Sequence, residues 1–485
     1  MPCRSITVKT LIIKRDKDQI IGYLEDASNL EGGNADILYI PETEEEVKEA
    51  VFECANKKVP LTVSAGGTGT VGSRIPKDGA ILSVERLNKI LSIDKENKRA
   101  VLQSGVIIND FLVALAKQNL FYPPFPTERT AFIGGNIATN ASGEYSYYFG
   151  STRNYVRRIK VLLSTGKLLE IERGKIFADK EGIIRIGELN IKIPSYTSPQ
   201  VKNSAGYFSK PQMDLIDLFI GSEGTLGVIT EAEVEIIDDL PSRFIMVIFL
   251  PDERRLLEFV SEIKNNSDLK PVSLEYFDKN SLDFLRSDFH SIPNSSEAAV
   301  YIEEEEGENT LDIWLNLLDK YEVIDTWISQ DKKRYQELID FRHKLPEKVR
   351  DYFKEIKSPK IALDIAVPDK SFEELFYFYK QVLNDGKIQF VLYGHIGENH
   401  LHLNLFPKDE VEKTIVNGIC NKAIQKAVEM GGTVSAEHGI GKIKHKYLKV
   451  MYGREGVSEM AKIKKAFDPH CILGLDNIFP RELLK

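Results

Sequence analysis

Three loops built almost wholly of small residues punctuate the first 240 positions, and they constrain the fold more than any other feature. The first, Ser64-Ala65-Gly66-Gly67-Thr68-Gly69-Thr70-Val71-Gly72, puts four glycines and two threonines in nine residues directly after a short apolar strand, Leu61-Thr62-Val63. The second is Ile133-Gly134-Gly135-Asn136-Ile137-Ala138-Thr139-Asn140-Ala141-Ser142-Gly143, and the third Gly221-Ser222-Glu223-Gly224-Thr225-Leu226-Gly227-Val228-Ile229-Thr230. Glycine lets backbone N–H groups turn toward a ligand, and threonine adds hydroxyl donors. The first loop lacks the Gly-Lys-Ser/Thr ending of a nucleoside-triphosphate loop and the G-x-G-x-x-G spacing of a dinucleotide fingerprint. Three separated loops of one composition are expected instead to line a single long ligand that contains a diphosphate.

Around these loops the pattern is one of short strands and few helices. Ile37 to Ile40 stops at Pro41, and Thr43-Glu44-Glu45-Glu46 reads as a capping box opening a helix to about Lys57. Ala80 to Val84 and Ala100 to Leu102 read as strands, and Asn109 is expected to cap a helix running through Lys117. From Phe244 the texture changes. Strands at Phe244–Leu250 and Ala298–Ile302 alternate with amphipathic helices near 252–265, 310–320, 334–355 and 371–384, the signature of a separate α+β domain with an antiparallel sheet. The acidic run Glu303 to Glu306 is expected to be a solvated strand end, and a helix is expected to close at Phe467-Asp468-Pro469.

A chain of 485 residues exceeds one ordinary core. Its net charge of −9, with no basic stripe, argues against nucleic acid as a partner. The four cysteines (Cys3, Cys54, Cys420, Cys471) form no C-x-x-C pair, which disfavours thiolate metal sites and a disulfide framework and fits a reducing compartment. The longest apolar run, Phe244 to Leu250, is far short of the ~20 residues of a membrane helix. The basic residues Arg4, Lys9, Lys14 and Arg15 precede no apolar core or cleavage site. A cytoplasmic protein without a transmembrane segment is expected, with docking onto a membrane surface compatible.

Chemistry concentrates late. Of eight histidines, four fall in Gly394-His395-Ile396-Gly397-Glu398-Asn399-His400-Leu401-His402-Leu403-Asn404 and Ala436-Glu437-His438-Gly439. Imidazole with carboxylate suits a divalent transition metal, and a further imidazole beside it suits a proton acceptor. A strand at 388–393, a turn at 394–399 and a returning strand at 400–405 would put His400, His402 and Asn404 on one face, with His395 entering from the turn. This local argument does not choose between His395/His402 and His400/His402 as a metal pair. His445, among Lys442, Lys444 and Lys446, is expected to be exposed, and His290, His343 and His470 have no company that assigns them a role.

The three glycine loops, Lys202-Asn203-Ser204-Ala205-Gly206-Tyr207, the histidine cluster and Phe467-Asp468-Pro469 together resemble the vanillyl-alcohol oxidase and p-cresol methylhydroxylase superfamily. Within it the chain is similar to the FAD-linked 2-hydroxyacid dehydrogenases: D-lactate dehydrogenase, the catalytic subunit of glycolate oxidase and D-2-hydroxyglutarate dehydrogenase. The resemblance covers residues 35 to 480 or so. It implies an α+β fold, with a two-subdomain FAD-binding domain over 1–240, a ferredoxin-like antiparallel cap carrying substrate and metal over 241–450, and a segment over 451–485 returning to the FAD-binding domain. It implies FAD held by Ser64, Ala65, Gly66, Gly67, Thr68, Gly69, Thr70 and Gly72, by Pro126 and Thr127, by Gly134, Gly135, Asn136, Thr139, Asn140, Ser142 and Gly143, and by Glu223, Gly224, Gly227, Val228 and Ile229. No histidine precedes His290 and neither Cys3 nor Cys54 lies in a loop, so the flavin is expected to be non-covalent.

The family pattern Gly-His-x-Gly-Asp-Gly-Asn-x-His selects His395 and His402 as ligands of a divalent metal, zinc or manganese, with Glu437 as the third. His400 then stands at the pattern's asparagine and Glu398 at its aspartate. The resemblance makes His438, pointing away from Glu437, the catalytic base, Arg342 the partner of the substrate carboxylate and Asn404 a substrate contact. The chain departs from family habit in three further places. Phe125 replaces an aspartate in Pro123-Pro124-Phe125-Pro126, and Leu473-Gly474-Leu475-Asp476-Asn477 replaces a Leu-Asn-Pro-Gly-Lys ending that meets the flavin. Ala362 replaces a lysine that contacts the substrate's outer end in some members, with Lys360 nearby but out of register. The implied reaction is oxidation of a D-configured, lactate-like 2-hydroxy acid to the 2-oxo acid with hydride to flavin N5. A quinone, an electron-transfer protein and dioxygen all remain open as acceptor, and a homodimer is compatible. The rival is a non-redox FAD enzyme of the alkylglycerone-phosphate synthase kind.

Overall fold

The computed structural model describes residues 11–356, 358 and 360–485. Cys3, Arg4 and Lys9 lie outside the described residues. Thr43 accepts a bond from Glu46 N and opens the helix Glu44–Lys57, which Lys58 closes in the left-handed conformation at φ 52°. The helix connects two strands of a four-stranded sheet ordered Ile12–Lys14, Ile37–Ile40, Ala80–Ser83, Leu61–Ser64. The last three strands run parallel. The first glycine loop therefore leaves the carboxyl end of a parallel strand, where open α/β sheets bind ligands.

A five-stranded antiparallel sheet follows, in the order Ile90–Asp94, Arg99–Gln103, Val228–Glu235, Val156–Leu162, Leu168–Glu172. Its central strand starts where the third loop ends, so the sheet core anchors that loop. The second loop differs from expectation: Ile133–Thr139 is a short helix, ended by Asn140 in the left-handed conformation. Small residues suit it because Gly134 packs on Ser104, where a Cβ would fall 2.6 Å from the serine's own Cβ. Asn109 caps nothing. The helix spans Ile108–Ala116 with Ile107 at its start and no side-chain cap.

The cap is a seven-stranded antiparallel sheet in the order Asp325–Ile328, Arg243–Leu250, Ala298–Glu305, Pro271–Asp278, Phe390–Gly394, His400–Leu405, Ile361–Ala366. Arg243–Leu250 reads as an unbroken apolar run because both its faces are covered. Met246, Ile248 and Leu250 join the core with Phe259, Trp314 and Phe376, while Ile245, Val247 and Phe249 join the core with Leu338, Phe341 and Leu345. Glu303 and Glu304 are not a solvated end but almost fully buried. Glu303 earns its place through Arg243 Nε at 2.6 Å and the hydroxyls of Tyr335 and Tyr145 at 2.6 and 3.1 Å.

The final helix, His445–Phe467, ends before Pro469 as expected. The chain then returns to the first sheet, where Gly474 N donates to Leu61 O at 2.9 Å. His445 is half-buried rather than exposed, with its Nε2 2.8 and 2.7 Å from the carbonyls of Gly441 and Asp476.

Candidate functional site

Two adjoining cavities lie between the glycine loops and the cap. The first is lined by Ala65, Gly66, Gly67, Thr68, Gly69, Gly134, Gly135, Asn136, Thr139, Glu223, Gly224, Gly227 and Ile229. The second is lined by Thr70, Pro126, Thr127, Ser142, Gly143, Arg342, His395, His402, Asn404 and Glu437. Thr68, Gly69, Asn136, Thr139 and His438 line both, so His438 stands where the two meet.

Four sequence candidates line neither cavity. Ser64 and Val228 are buried in their strands, and Gly72 gives its carbonyl to Lys442 Nζ at 3.3 Å. Asn140 is spent on structure, accepting from Arg153 N at 3.0 Å and donating to Asn203 O at 3.2 Å. Residues not anticipated complete the first cavity, among them Asp26, Arg74 and Ser104. Arg74 lies across the first loop: a Cβ on Gly67, at φ +77°, would fall 1.8 Å from its Nη1. No local pattern could have placed that cation.

Buried polar atoms without a protein partner show what the first cavity lacks. Asp26 Oδ2, Arg74 Nε, Ser104 Oγ and Asn136 Nδ2 are all buried and unpaired among the described residues, and all four residues line it. Leaving such groups unmet costs about 1–3 kcal/mol each. A glycine cradle, a cation and unmet donors fit a diphosphate-containing cofactor.

In the second cavity Gly394 ends its strand at φ +125°, and a Cβ there would come 2.9 Å from the His402 ring. Only glycine lets the chain turn and bring His395 back over the returning strand. His395 Nε2 then lies 3.5 Å from Glu437 Oε2, and His402 Nε2 3.3 Å from Glu437 Oε1. His438 does not point away: its Nε2 is 3.7 Å from Glu437 Oε1 and its ring stacks on His402 at 5.4 Å. His438 Nδ1 sits 3.2 Å from Asp364 Oδ2, which orients the ring and leaves Nε2 facing the cavity's imidazoles.

Sequence reading missed the charges that hold this cluster. Glu275 Oε1 is 2.8 Å from His395 Nδ1 and 3.4 Å from Arg342 Nη2. Lys202 Nζ is 2.9 Å from both Glu437 and Glu398. Burial opposes the charge on Glu275, but His395 and Arg342 outweigh it and hold its carboxyl down at about 2. Burial likewise opposes a charged His395, yet Glu275 and then Glu437 lift it to about 9, whereas burial drives His402 down to about 3. Glu437 is held well below the usual carboxylate range against burial, chiefly by Lys202.

Around the second cavity the carboxylates of Glu144, Glu275, Asp364, Glu398 and Glu437 are bonded to Lys202, Arg342 and Lys444, and Lys360 lines the same cavity. Two imidazoles converging on one carboxylate are a donor set that fits a divalent metal. Arg342, 7% exposed, is no surface arginine; its contacts to Thr127 (3.2 Å), Glu275 (3.4 Å) and Glu144 (3.8 Å) are long and leave the guanidinium open to the cavity. Asn404 is buried, and among the described residues neither of its amide atoms has a hydrogen-bond partner.

Comparison with known proteins agrees with this picture. Residues 35–172 match the family described as FAD binding domain, and residues 241–475 match FAD linked oxidases, C-terminal domain. A D-lactate dehydrogenase of Anaerostipes hadrus is 30% identical, covering 90% of this chain and 88% of its own. A glycolate oxidase subunit, GlcD, of Bacillus subtilis (strain 168) is 28% identical over 96% of this chain and 93% of its own. Among solved structures, an alkyldihydroxyacetonephosphate synthase matches with a TM-score of 0.66 at 18% identity, covering 97% of this chain and 82% of its own, which speaks to fold alone.

Proposed function

The chain belongs to the FAD-linked oxidases, and from that premise we propose that it oxidises a short 2-hydroxy acid, D-configured and lactate-like, to the 2-oxo acid. The observation that carries this reading is the position of His438, which borders both the glycine-loop cavity and the cavity of Arg342 and the histidine cluster.

Arg342 holds the substrate carboxylate, and Asn404 uses its unpaired amide to orient it. His438 removes the hydroxyl proton at Nε2, its Nδ1 steadied by the Asp364 carboxylate. FAD would be held along the glycine loops and would supply a hydride acceptor for the α-hydrogen, and a divalent metal would be held by His395, His402 and Glu437 and would supply Lewis acidity toward the substrate hydroxyl.

Names of the relatives support hydroxy acids as the substrate class. The histidine–glutamate donor set favours redox chemistry on a chelating hydroxy acid over the non-redox synthase reading. The test is anaerobic titration of the purified flavoprotein with D- and L-2-hydroxy acids, following bleaching of the flavin band. A short D-acid should bleach it, and His438→Ala should keep bound FAD yet lose the bleaching. Normal reduction in that variant would overturn the base assignment.

A further inference from the structure

We infer that His400 is a fourth ligand of the metal placed at His395, His402 and Glu437, an inference that rests on the metal reading above. His400 lies on the same strand face as His402, with its ring centred 4.7 Å from the His402 ring and 5.3 Å from that of His395. One donor atom each from His395, His400, His402 and Glu437 can be chosen so that all lie within 4.8 Å of one another.

The state of the His400 ring points the same way. It is fully buried, and its Nε2 lies 2.7 Å from Asp364 Oδ1. Asp364 is a hub for donors: its Oδ2 also receives Ser435 Oγ at 2.8 Å, His438 N at 2.9 Å and Lys444 Nζ at 3.1 Å. A carboxylate so surrounded accepts, so Nε2 carries the hydrogen and Nδ1 carries the lone pair. That lone pair is buried with no partner among the described residues. An imidazole that gives one N–H to a buried carboxylate and keeps its other nitrogen unpaired, with its ring beside two further imidazoles, has the arrangement of a metal ligand with its supporting carboxylate. Asp364 itself, though near His402, Glu437 and His438, has both oxygens committed and is the support, not the ligand.

The family pattern has asparagine at this position, so the third nitrogen donor belongs to this chain. It also bears on the ion. Four protein donors complete a four-coordinate zinc shell, and an ion that must still meet substrate has to accept more than four, as Mn2+ does.

The experiment uses the FAD-loaded protein stripped of metal and reloaded with Cu2+ as a spectroscopic probe. Pulsed EPR of the imidazole nitrogens should count three histidines in the native protein and two in His400→Asn, and Mn2+ should bind the variant at least about tenfold more weakly in chelator competition. Two histidines in the native protein, or three in both, would overturn the assignment of His400 while leaving the three-ligand reading intact. Failure of the native protein to bind either ion would overturn both. The native count decides the matter even where the variant does not fold.

Discussion

Replacing Glu275 by glutamine separates the charge at the heart of the site from its shape. Glutamine has nearly the same volume, and its carbonyl can still accept from His395 Nδ1 across the 2.8 Å contact. What disappears is the charge that faces His395 and Arg342. Glu275 titrates at about 2 in place of its ordinary 4.5, a shift worth about 3 kcal/mol at 1.36 kcal/mol per unit. The rise of His395 to about 9 describes the same contact from the other side and is counted once. Since the folded-state value is depressed, this stability is fully present above pH 4.5 and is lost as pH falls from 4.5 toward 2.

With both proteins stripped of metal, Glu275→Gln should therefore be about 3 kcal/mol less stable than the native protein at pH 7, with the gap closing below pH 4.5. Loss of the carboxylate behind His395 should also weaken divalent-metal binding by about 10- to 100-fold. Urea unfolding of the flavoprotein at pH 7 and pH 4, with metal affinity by chelator competition, reads both effects. Equal midpoints at pH 7 together with unchanged metal affinity would refute the claim that this carboxylate organises the site.

Lys202→Met leaves Glu398 and Glu437 buried without their shared cation; it should lower the melting temperature, and added Mn2+ should raise it by more than it raises the native protein's. Gly439→Ala puts a Cβ 2.8 Å from Glu223 Oε1 at a φ of +79°; substrate-driven flavin reduction should slow at least about tenfold with FAD retained, and an unchanged rate would show the His438 turn to be tolerant.

The elements were legible where local chemistry dictates them. Thr43 capping the helix Glu44–Lys57 and the apolar run Arg243–Leu250 follow from capping and from burial on both sheet faces. The histidine cluster was legible because a strand, a turn forced by Gly394 and a returning strand bring its members together within eleven residues. Errors came where tertiary partners override local pattern. Glu303 looked solvated because nothing near it in sequence announces Arg243, Tyr145 and Tyr335. The contacts of Glu275, Asp364 and Lys202 went unread for the same reason: the partners of each lie 36 or more positions away.

Long-range carboxylate contacts also explain how two loops keep one geometry. Glu223, on the third glycine loop, accepts from Ile440 N at 2.7 Å, Gly441 N at 2.8 Å and Ser73 Oγ at 2.5 Å. One buried carboxylate thus ties the turn after His438 to the end of the first glycine loop. Asp364 fixes the same turn from the opposite side, through His438 N at 2.9 Å and Nδ1 at 3.2 Å. His438 is therefore held by one carboxylate from the cofactor side and one from the cap. In the proposed reaction, a base at His438 would stay aimed at a substrate between flavin and cap only while both parts are docked, so the proton and hydride steps would share one preorganised frame.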